Sequence, residues 1–269
     1  MSTAGRGTGQ LTYEVRGGTA LVTIDNPAKR NAMNTAMWEQ WQPTMARAVA
    51  DPAVRVVVVT GAPGAFCAGA DIDQLGLLHT NEVLTTAHEA IARCPKPTIA
   101  SIDGSCVGAG VLIAAACDIR LAGTTSRFGI PPANLGVIYP RVPLERLVRL
   151  LGPAATKYLV FTADLIGAER ARHIGLVDEI LPGDVVLDRA LKLATAITGR
   201  SQLTIQATKS IVDAMVDRTL TDAIFGAWLA EVEASPDMAE GRAAFLEHRT
   251  PQFTWNGAGL DASAGDAAR

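Results

Sequence analysis

Residues 98–122 read Thr98-Ile99-Ala100-Ser101-Ile102-Asp103-Gly104-Ser105-Cys106-Val107-Gly108-Ala109-Gly110-Val111-Leu112-Ile113-Ala114-Ala115-Ala116-Cys117-Asp118-Ile119-Arg120-Leu121-Ala122. The stretch opens with a short β-branched run after Pro95 and Pro97, which predicts a strand over 98–102. A turn of small residues follows, then an apolar run over 109–117 that predicts a buried helix, then a second strand over 119–122. Strand, helix and strand in that order are the unit of an α/β fold. Upstream, residues 54–60 form a β-branched run typical of a strand covered on both faces. Residues 10–16 and 19–25 flank Gly17-Gly18 and predict a hairpin. Residues 35–50 predict a helix with Met37, Trp41 and Met45 on one face, although Pro43 lies inside it. From 144 onward the spacing is helical over 144–151, 154–161, 185–197, 203–216 and 220–233. Strands first and helices last predict an α/β core over 10–200 followed by a helical region over 201–255.

The chain has 269 residues, 48% hydrophobic and 19% charged. Those fractions exclude a disordered or fibrous protein, and a chain of this length hides roughly 73% of its unfolded surface on folding. Lys and Arg number 24 against 27 Asp and Glu, a net charge of −3, so there is no bulk electrostatic drive toward nucleic acid. Cys67, Cys94, Cys106 and Cys117 are widely spaced with no Cys-x-x-Cys pair, which argues against a zinc site and for buried reduced thiols. The start Met1-Ser2-Thr3-Ala4-Gly5-Arg6 has no apolar core of a signal peptide, and no apolar run reaches membrane length. The expectation is a soluble, cytoplasmic protein with loose tails over 1–9 and 256–269.

Two segments have the composition of a ligand site. Ala65-Phe66-Cys67-Ala68-Gly69-Ala70-Asp71-Ile72 follows the 54–60 strand, and its small residues let a ligand approach the backbone. Gly104-Ser105-Cys106-Val107-Gly108-Ala109-Gly110 opens the apolar helix, where free N–H groups and the positive dipole end suit an anion. A dinucleotide fingerprint is missing, since the third glycine of Gly-x-Gly-x-x-Gly is absent. Each segment alone reads equally well as a tight loop or a packing device.

Together, about 40 residues apart, they resemble the enoyl-CoA hydratase/isomerase, or crotonase, superfamily. The resemblance continues through Asn26-Pro27-Ala28-Lys29-Arg30-Asn31-Ala32-Met33, Cys117-Asp118-Ile119-Arg120-Leu121-Ala122, Phe128-Gly129-Ile130-Pro131 and Leu135-Gly136-Val137. It extends through Phe161-Thr162-Ala163, Ala168-Glu169-Arg170-Ala171, Gly175-Leu176-Val177 and Ala243-Ala244-Phe245-Leu246-Glu247-His248-Arg249, so that residues 10–255 are covered. It implies an α/β spiral of ββα units with a C-terminal helical trimerisation region. It implies a homotrimer or homohexamer with a CoA thioester as substrate, and no separate cofactor, metal, nucleic acid or membrane. By position, the backbone N–H groups of Ala70 and Ala109 would be the oxyanion donors. Ala28, Lys29 and Arg30 would contact CoA, with Ala68, Asp71 and Ile72 from the loop beside them. Arg249 would reach a neighbour's CoA phosphates.

Two positions where the family's hydratases carry water-activating glutamates hold Leu112 and Pro132, and an acidic position of some isomerases and dehalogenases holds Pro140. Neither leucine nor proline transfers a proton. Asn134, Tyr139 and Arg141 are the polar groups left nearby. Pro132-Ala133-Asn134-Leu135-Gly136-Val137-Ile138-Tyr139 is similar to the matching stretch of the family's methylmalonyl-CoA decarboxylases, although Ala70 stands where those have histidine. Three readings stay open: an enolate-stabilising decarboxylase or isomerase with Tyr139 at the site, a hydratase using other groups, or a non-catalytic acyl-CoA binding protein. His79 and His88 follow the oxyanion loop and leave two readings open, a surface-helix role, which is favoured, and reach into the site; Asp71 and Asp73 read as loop caps, and Glu145 as an outward residue of a first helical turn.

Overall fold

A computed structural model describes residues 9–73 and 82–257. Two sheets carry the core. The larger has the order β1-β2-β3-β5-β7-β10, built from β1 (Gln10–Arg16), β2 (Thr19–Asp25), β3 (Val56–Gly61), β5 (Thr98–Ile102), β7 (Ile119–Gly123) and β10 (Glu179–Leu181). The smaller has the order β4-β6-β8-β9, built from β4 (Ala65–Cys67), β6 (Ser105–Val107), β8 (Arg127–Gly129) and β9 (Ile166–Gly167). β1 and β2 form the antiparallel hairpin expected at Gly17-Gly18, and β2, β3, β5, β7 and β10 run parallel.

The chain crosses from the large sheet to the small one three times in the same sense. β3 leads to β4 and then α2 (Glu82–Ala92); β5 leads to β6 and α3 (Ala109–Ala116); β7 leads to β8 and α4 (Arg141–Thr162). This is the spiral of ββα units that the resemblance implied, and it has no counterpart as a repeat in the sequence.

The β-branched run of β3 alternates in its duties. Val57 and Val59 face the main core with α1 (Thr35–Ala50) and α3, while Val56 and Val58 face α6 (Val186–Thr198) through Val186, Ala190 and Ala194. Both faces are covered, so no polar position is needed along the strand. All eight residues of α3 are buried, including Val111, Leu112 and Ile113. Helix α1 runs through the exposed Pro43 and buries Met37, Trp38, Trp41 and Met45.

Several expectations are corrected. The runs at 144–151 and 154–161 belong to α4, whose helical path breaks at Gly152 (φ 76°, ψ 163°) before Pro153, so the two-helix reading was right about the break. Gly9, placed in the loose tail, is buried, and a Cβ there would lie 2.6 Å from Asn26 Cβ. The rest of the two expected tails, apart from Asn256 and Gly257, lies outside the described residues. Helices α5 (Ala168–His173) and α9 (Asp237–Leu246) gave no periodic signal, while α7 (Gln202–Asp217) and α8 (Asp222–Ala234) fall where the spacing put them. The four cysteines are buried and unbonded, and burial raises the pKa of each thiol.

Gly110 lets α3 press against β4. A Cβ there would sit 2.4 Å from the Cys67 carbonyl oxygen, a backbone atom that cannot move alone. Gly110→Ala should therefore cost about 1–3 kcal/mol and lower the thermal midpoint by roughly 3–10 °C. Gly199→Ala, at an ordinary φ of −81° with its nearest contact at 3.6 Å, should leave the midpoint within about 2 °C. A thermal melt of both variants checks the contrast.

Candidate active site

The loop after β4 is held from one side by the turn at residues 26–33. Asn31, fully buried at φ 59°, donates from Nδ2 to Ala62 O at 2.8 Å and Ala65 O at 2.7 Å. Its Oδ1 accepts from Asn26 N at 3.0 Å, and Asn26 Nδ2 donates to Ala32 O at 2.8 Å. The chain then pairs with the loop: Ala68 N donates to Arg30 O at 3.0 Å, Met33 N to Gly69 O at 2.8 Å and Asp71 N to Met33 O at 2.8 Å. Lys29 Nζ closes the turn with ion pairs to Asp71 at 2.7 Å and Asp73 at 3.0 Å, and these raise the lysine's pKa, Asp71 contributing first.

In this pairing Ala70 turns its own N–H away from Met33. No acceptor among the described residues engages it. Opposite stands the start of α3. Gly108, at φ 55° and ψ −115°, donates its N–H to Gly129 O at 2.8 Å, while its carbonyl accepts from Val111 N and Leu112 N. The first N–H of the helix, that of Ala109, likewise has no acceptor among the described residues, as expected for a helix N-terminus without a side-chain cap. The two segments touch: a Cβ on Gly108 would lie 3.7 Å from Gly69 Cα.

A cavity of about 150 Å³ opens over this contact, lined by Ala68, Gly69, Ala70, Gly108, Ala109 and by apolar side chains including Leu84, Leu112, Pro131, Val137 and Pro140. Tyr139 enters from the other side, its hydroxyl 3.2 Å from where a Gly108 Cβ would be. Burial raises its pKa, so it is a hydrogen-bond donor and not a base at neutral pH. At the mouth, Ile72, Leu135 and Ile138 are 60%, 44% and 88% exposed.

Of the sequence-predicted residues, Ala68, Ala70, Ile72, Ala109, Leu112 and Tyr139 meet at this cavity. Asp71 lies beside it, but its carboxylate is taken by Lys29 and by the Asp73 N–H. Ala28, Lys29 and Arg30 form the exposed outer turn. Pro132 is buried, and the proline walls of the cavity are Pro131 and Pro140 instead. Asn134 is exposed in the short 3-10 turn Pro132–Asn134 and does not line the cavity. Arg141 is exposed and paired with Glu145, and Arg249 is paired with Glu240 and Glu247 away from the cavity wall. No group of three or more potential metal ligands occurs among the described residues.

His88 departs from its expected surface role. It is 1% exposed on α2, and it lines the cavity beside Trp38. Its Nδ1 lies 2.5 Å from Leu84 O. Trp38 was a missed wall residue as well; it follows Met37 on the buried face of α1, three residues before Trp41, and that spacing was the available signal. His79 lies outside the described residues.

A family model described as enoyl-CoA hydratase/isomerase matches residues 14–256. The 2,3-dehydroadipyl-CoA hydratase of Escherichia coli is 34% identical over 87% of this chain and 94% of that protein. The crotonyl-CoA hydratase of Syntrophomonas wolfei is 32% identical over 87% and 94%. A crystal structure of an enoyl-CoA hydratase/isomerase family member superposes with a TM-score of 0.88 at 37% identity, covering 94% of this chain and 99% of that one.

Burial lowers the His88 pKa from 6.5 to about 4. The unfolded chain therefore takes up this proton first, and the stability that neutral His88 contributes is lost as pH falls from about 6.5 toward 4, by up to about 3 kcal/mol. In urea unfolding at pH 7 and pH 4.5, His88→Phe should lose less stability on acidification than the wild type does. Equal losses would show that His88 does not titrate this way.

Proposed function

The chain belongs to the enoyl-CoA hydratase/isomerase family, enzymes acting on CoA thioesters, and from that premise we propose that it decarboxylates a malonyl-type thioester through an enolate held at Ala70 and Ala109. The observation that carries the reading is the cavity's composition. Its described wall contains two backbone N–H groups without acceptors and the Tyr139 hydroxyl, with no carboxylate.

The chemistry follows from that set. When the bond from the α-carbon to the carboxylate breaks, CO₂ leaves and the electron pair moves toward the thioester oxygen. The two N–H groups then donate to an oxygen that is more negative than in the ground state, and one such donor is worth roughly 3–4 kcal/mol. No base and no cofactor are required, because the departing CO₂ itself creates the enolate. The Tyr139 hydroxyl donates a hydrogen bond to the carboxylate and holds it beside Gly108. The walls at Leu112, Pro131 and Pro140 withhold water from the carboxylate, which favours its loss. Water entering at the open mouth gives the α-carbon its proton after CO₂ has left, and the hydroxide formed is taken up by solvent, which completes the reaction.

The names of the relatives favour hydration as a second reading, since the Escherichia coli and Syntrophomonas proteins are both named hydratases. In this chain hydration would need another group to activate water in place of the carboxylates that Leu112 and Pro132 lack. Turnover of crotonyl-, 3-enoyl-, malonyl- and methylmalonyl-CoA separates the readings. Decarboxylation of a malonyl-type thioester is expected, with Tyr139→Phe lowering it by about ten- to a thousandfold while CoA affinity barely changes. Efficient hydration of crotonyl-CoA with malonyl-type thioesters untouched overturns the proposal.

The same reading includes a homotrimer or a dimer of trimers. Phe161 and Leu165 around the end of α4, with Met215, Phe225, Leu229 and Phe245 on α7–α9, are 44–79% exposed in the single chain. The cluster within α7 and α8 is small, centred on Leu203, Ala207 and Trp228. Apolar helix faces left open in this way are covered in an oligomer, and in this reading Arg249, paired with Glu240 and Glu247 in the single chain, would exchange those partners for a neighbour's CoA phosphates. Sedimentation at micromolar concentration should give a trimer or hexamer; a monomer rules this out.

A further inference from the structure

Arg30 and Asn31 are consecutive residues with left-handed backbones, at φ 52° and 59°, and neither is a glycine. Such conformations persist where the surroundings over-determine them, and they gather at functional sites. Arg30 is exposed, whereas Asn31 is fully buried, so the constraint is to be sought at the Asn31 side chain. Its Nδ2 donates to two backbone carbonyls, Ala62 at 2.8 Å and Ala65 at 2.7 Å, and its Oδ1 accepts from Asn26 N at 3.0 Å. The Asn31 N–H donates to Asn26 O at 2.8 Å. One residue thus closes its own turn and bolts that turn to the β3–β4 connection.

The bolt lies inside the ladder that shapes the loop. Arg30 O accepts from Ala68 N, and Met33 forms a parallel bridge with Ala70. The Met33 N–H donates to Gly69 O and its carbonyl accepts from Asp71 N, so the bridge bonds the residues on either side of Ala70 and leaves the Ala70 N–H out. The pairing that fixes the direction of this N–H is therefore the one that keeps it without an acceptor. The ion pair of Lys29 with Asp71 spans the same two segments, but the lysine side chain is 45% exposed. Solvent and salt screen such a pair, and a lysine's flexible stem fixes no direction. Asn31, 0% exposed and donating in a fixed plane, sets where the turn stands.

We infer that Asn31 is a positioning residue: by bolting the turn at 26–33 to residues 62–65 it aims the Ala70 N–H at the thioester oxygen. Asn31 does not line the cavity, so it acts through Ala70 and not on the substrate. The inference rests on the proposed placement of that oxygen between the Ala70 and Ala109 amides, and not on which bond of the substrate then breaks. A hydrogen bond weakens steeply as its angle closes, and an oxyanion donor works only when it is aimed in advance. A small rotation of the loop therefore removes the polarisation of the carbonyl while the cavity and its apolar walls stay in place.

The carbonyl stretch of a bound thioester reads that polarisation without turnover. The probe is butanoyl-CoA, isotope-labelled at its thioester carbonyl and recorded by infrared difference spectroscopy at saturating ligand, so that a change in affinity does not enter. In the wild-type protein the band should lie below its position in free butanoyl-CoA. Asn31→Gly keeps the freedom for a left-handed backbone and deletes only the side chain; it should lose about half or more of that shift. Asn31→Ser, with one donor left, should fall between the two. Val58→Ala is the control for lost stability, because Val58 packs toward α6 on the other face of β3; it should lower the thermal midpoint and keep the full shift. A full shift in folded Asn31→Gly and Asn31→Ser, or an equal loss in Val58→Ala, overturns the inference and leaves the thioester site standing. Failure of both Asn31 variants to fold overturns it too, since Asn31 is then a residue of the fold alone. No shift in the wild type, or no binding, brings down the placement between the two amides, and this inference with it.

Discussion

Asn31 is the point on which the site hangs. Its side chain is fully buried and spends both ends on backbone, two carbonyls of the β3–β4 connection on one side and the Asn26 N–H on the other. Asparagine is among the few residues other than glycine that tolerate a left-handed backbone, and a buried amide with its partners removed costs about 1–3 kcal/mol per orphaned group. The turn at 26–33 is thereby fixed against the loop at 68–71, and the exchange of hydrogen bonds with Met33 follows. That exchange occupies the groups on either side of Ala70 and leaves the Ala70 N–H without an acceptor among the described residues. A donor kept unpaired inside a protein is unstable unless neighbours hold it, and here the holding is done by a side chain well upstream in the sequence.

The segments that build the site were legible because their signal is compositional. Runs such as Cys67-Ala68-Gly69-Ala70 and Gly108-Ala109-Gly110 are small for a steric reason that survives in one dimension: backbone approaches backbone there. The strands and most helices were legible through periodicity, down to the broken path at Gly152-Pro153. The second sheet was not. Its strands are two or three residues long, too short for any period, and they exist because the ββα turns stack. Residue-level burial was the other gap. His88 lies in a helix whose buried set is Ala87, His88 and Ile91, and a histidine between an alanine and polar neighbours carries no mark of which side it faces. Likewise nothing local distinguishes Pro131 from Pro132; the turn geometry alone decides which one meets the cavity.

A cavity walled by Leu112, Pro131 and Pro140 limits what it can ask of a substrate. The described wall of this cavity carries no carboxylate, and the nearby one, Asp71, is held in an ion pair with Lys29. Charge is thus kept off the cavity wall and placed at its outer edge. What lines it is a set of uncharged groups: two amides, a phenol and the ring walls of Trp38 and His88. Such a set discriminates by where charge appears during a reaction and by hydrogen-bond polarity, not by net attraction.

The spiral has a consequence for the order in which the molecule comes into being. The contacts that define the site join residues 26–33 to 62–71, Gly108 to Gly129, and Tyr139 to Gly108 across a largely parallel sheet. Each closes a long loop of chain, and such pairings are slow to form and are rewarded late. No single strand, hairpin or helix of this protein contains both the Ala70 and the Ala109 amides. The cavity lined by Ala70 and Ala109 is complete only when the β3, β5 and β7 turns have stacked, so the pocket comes into being together with the topology and has no partly folded forerunner.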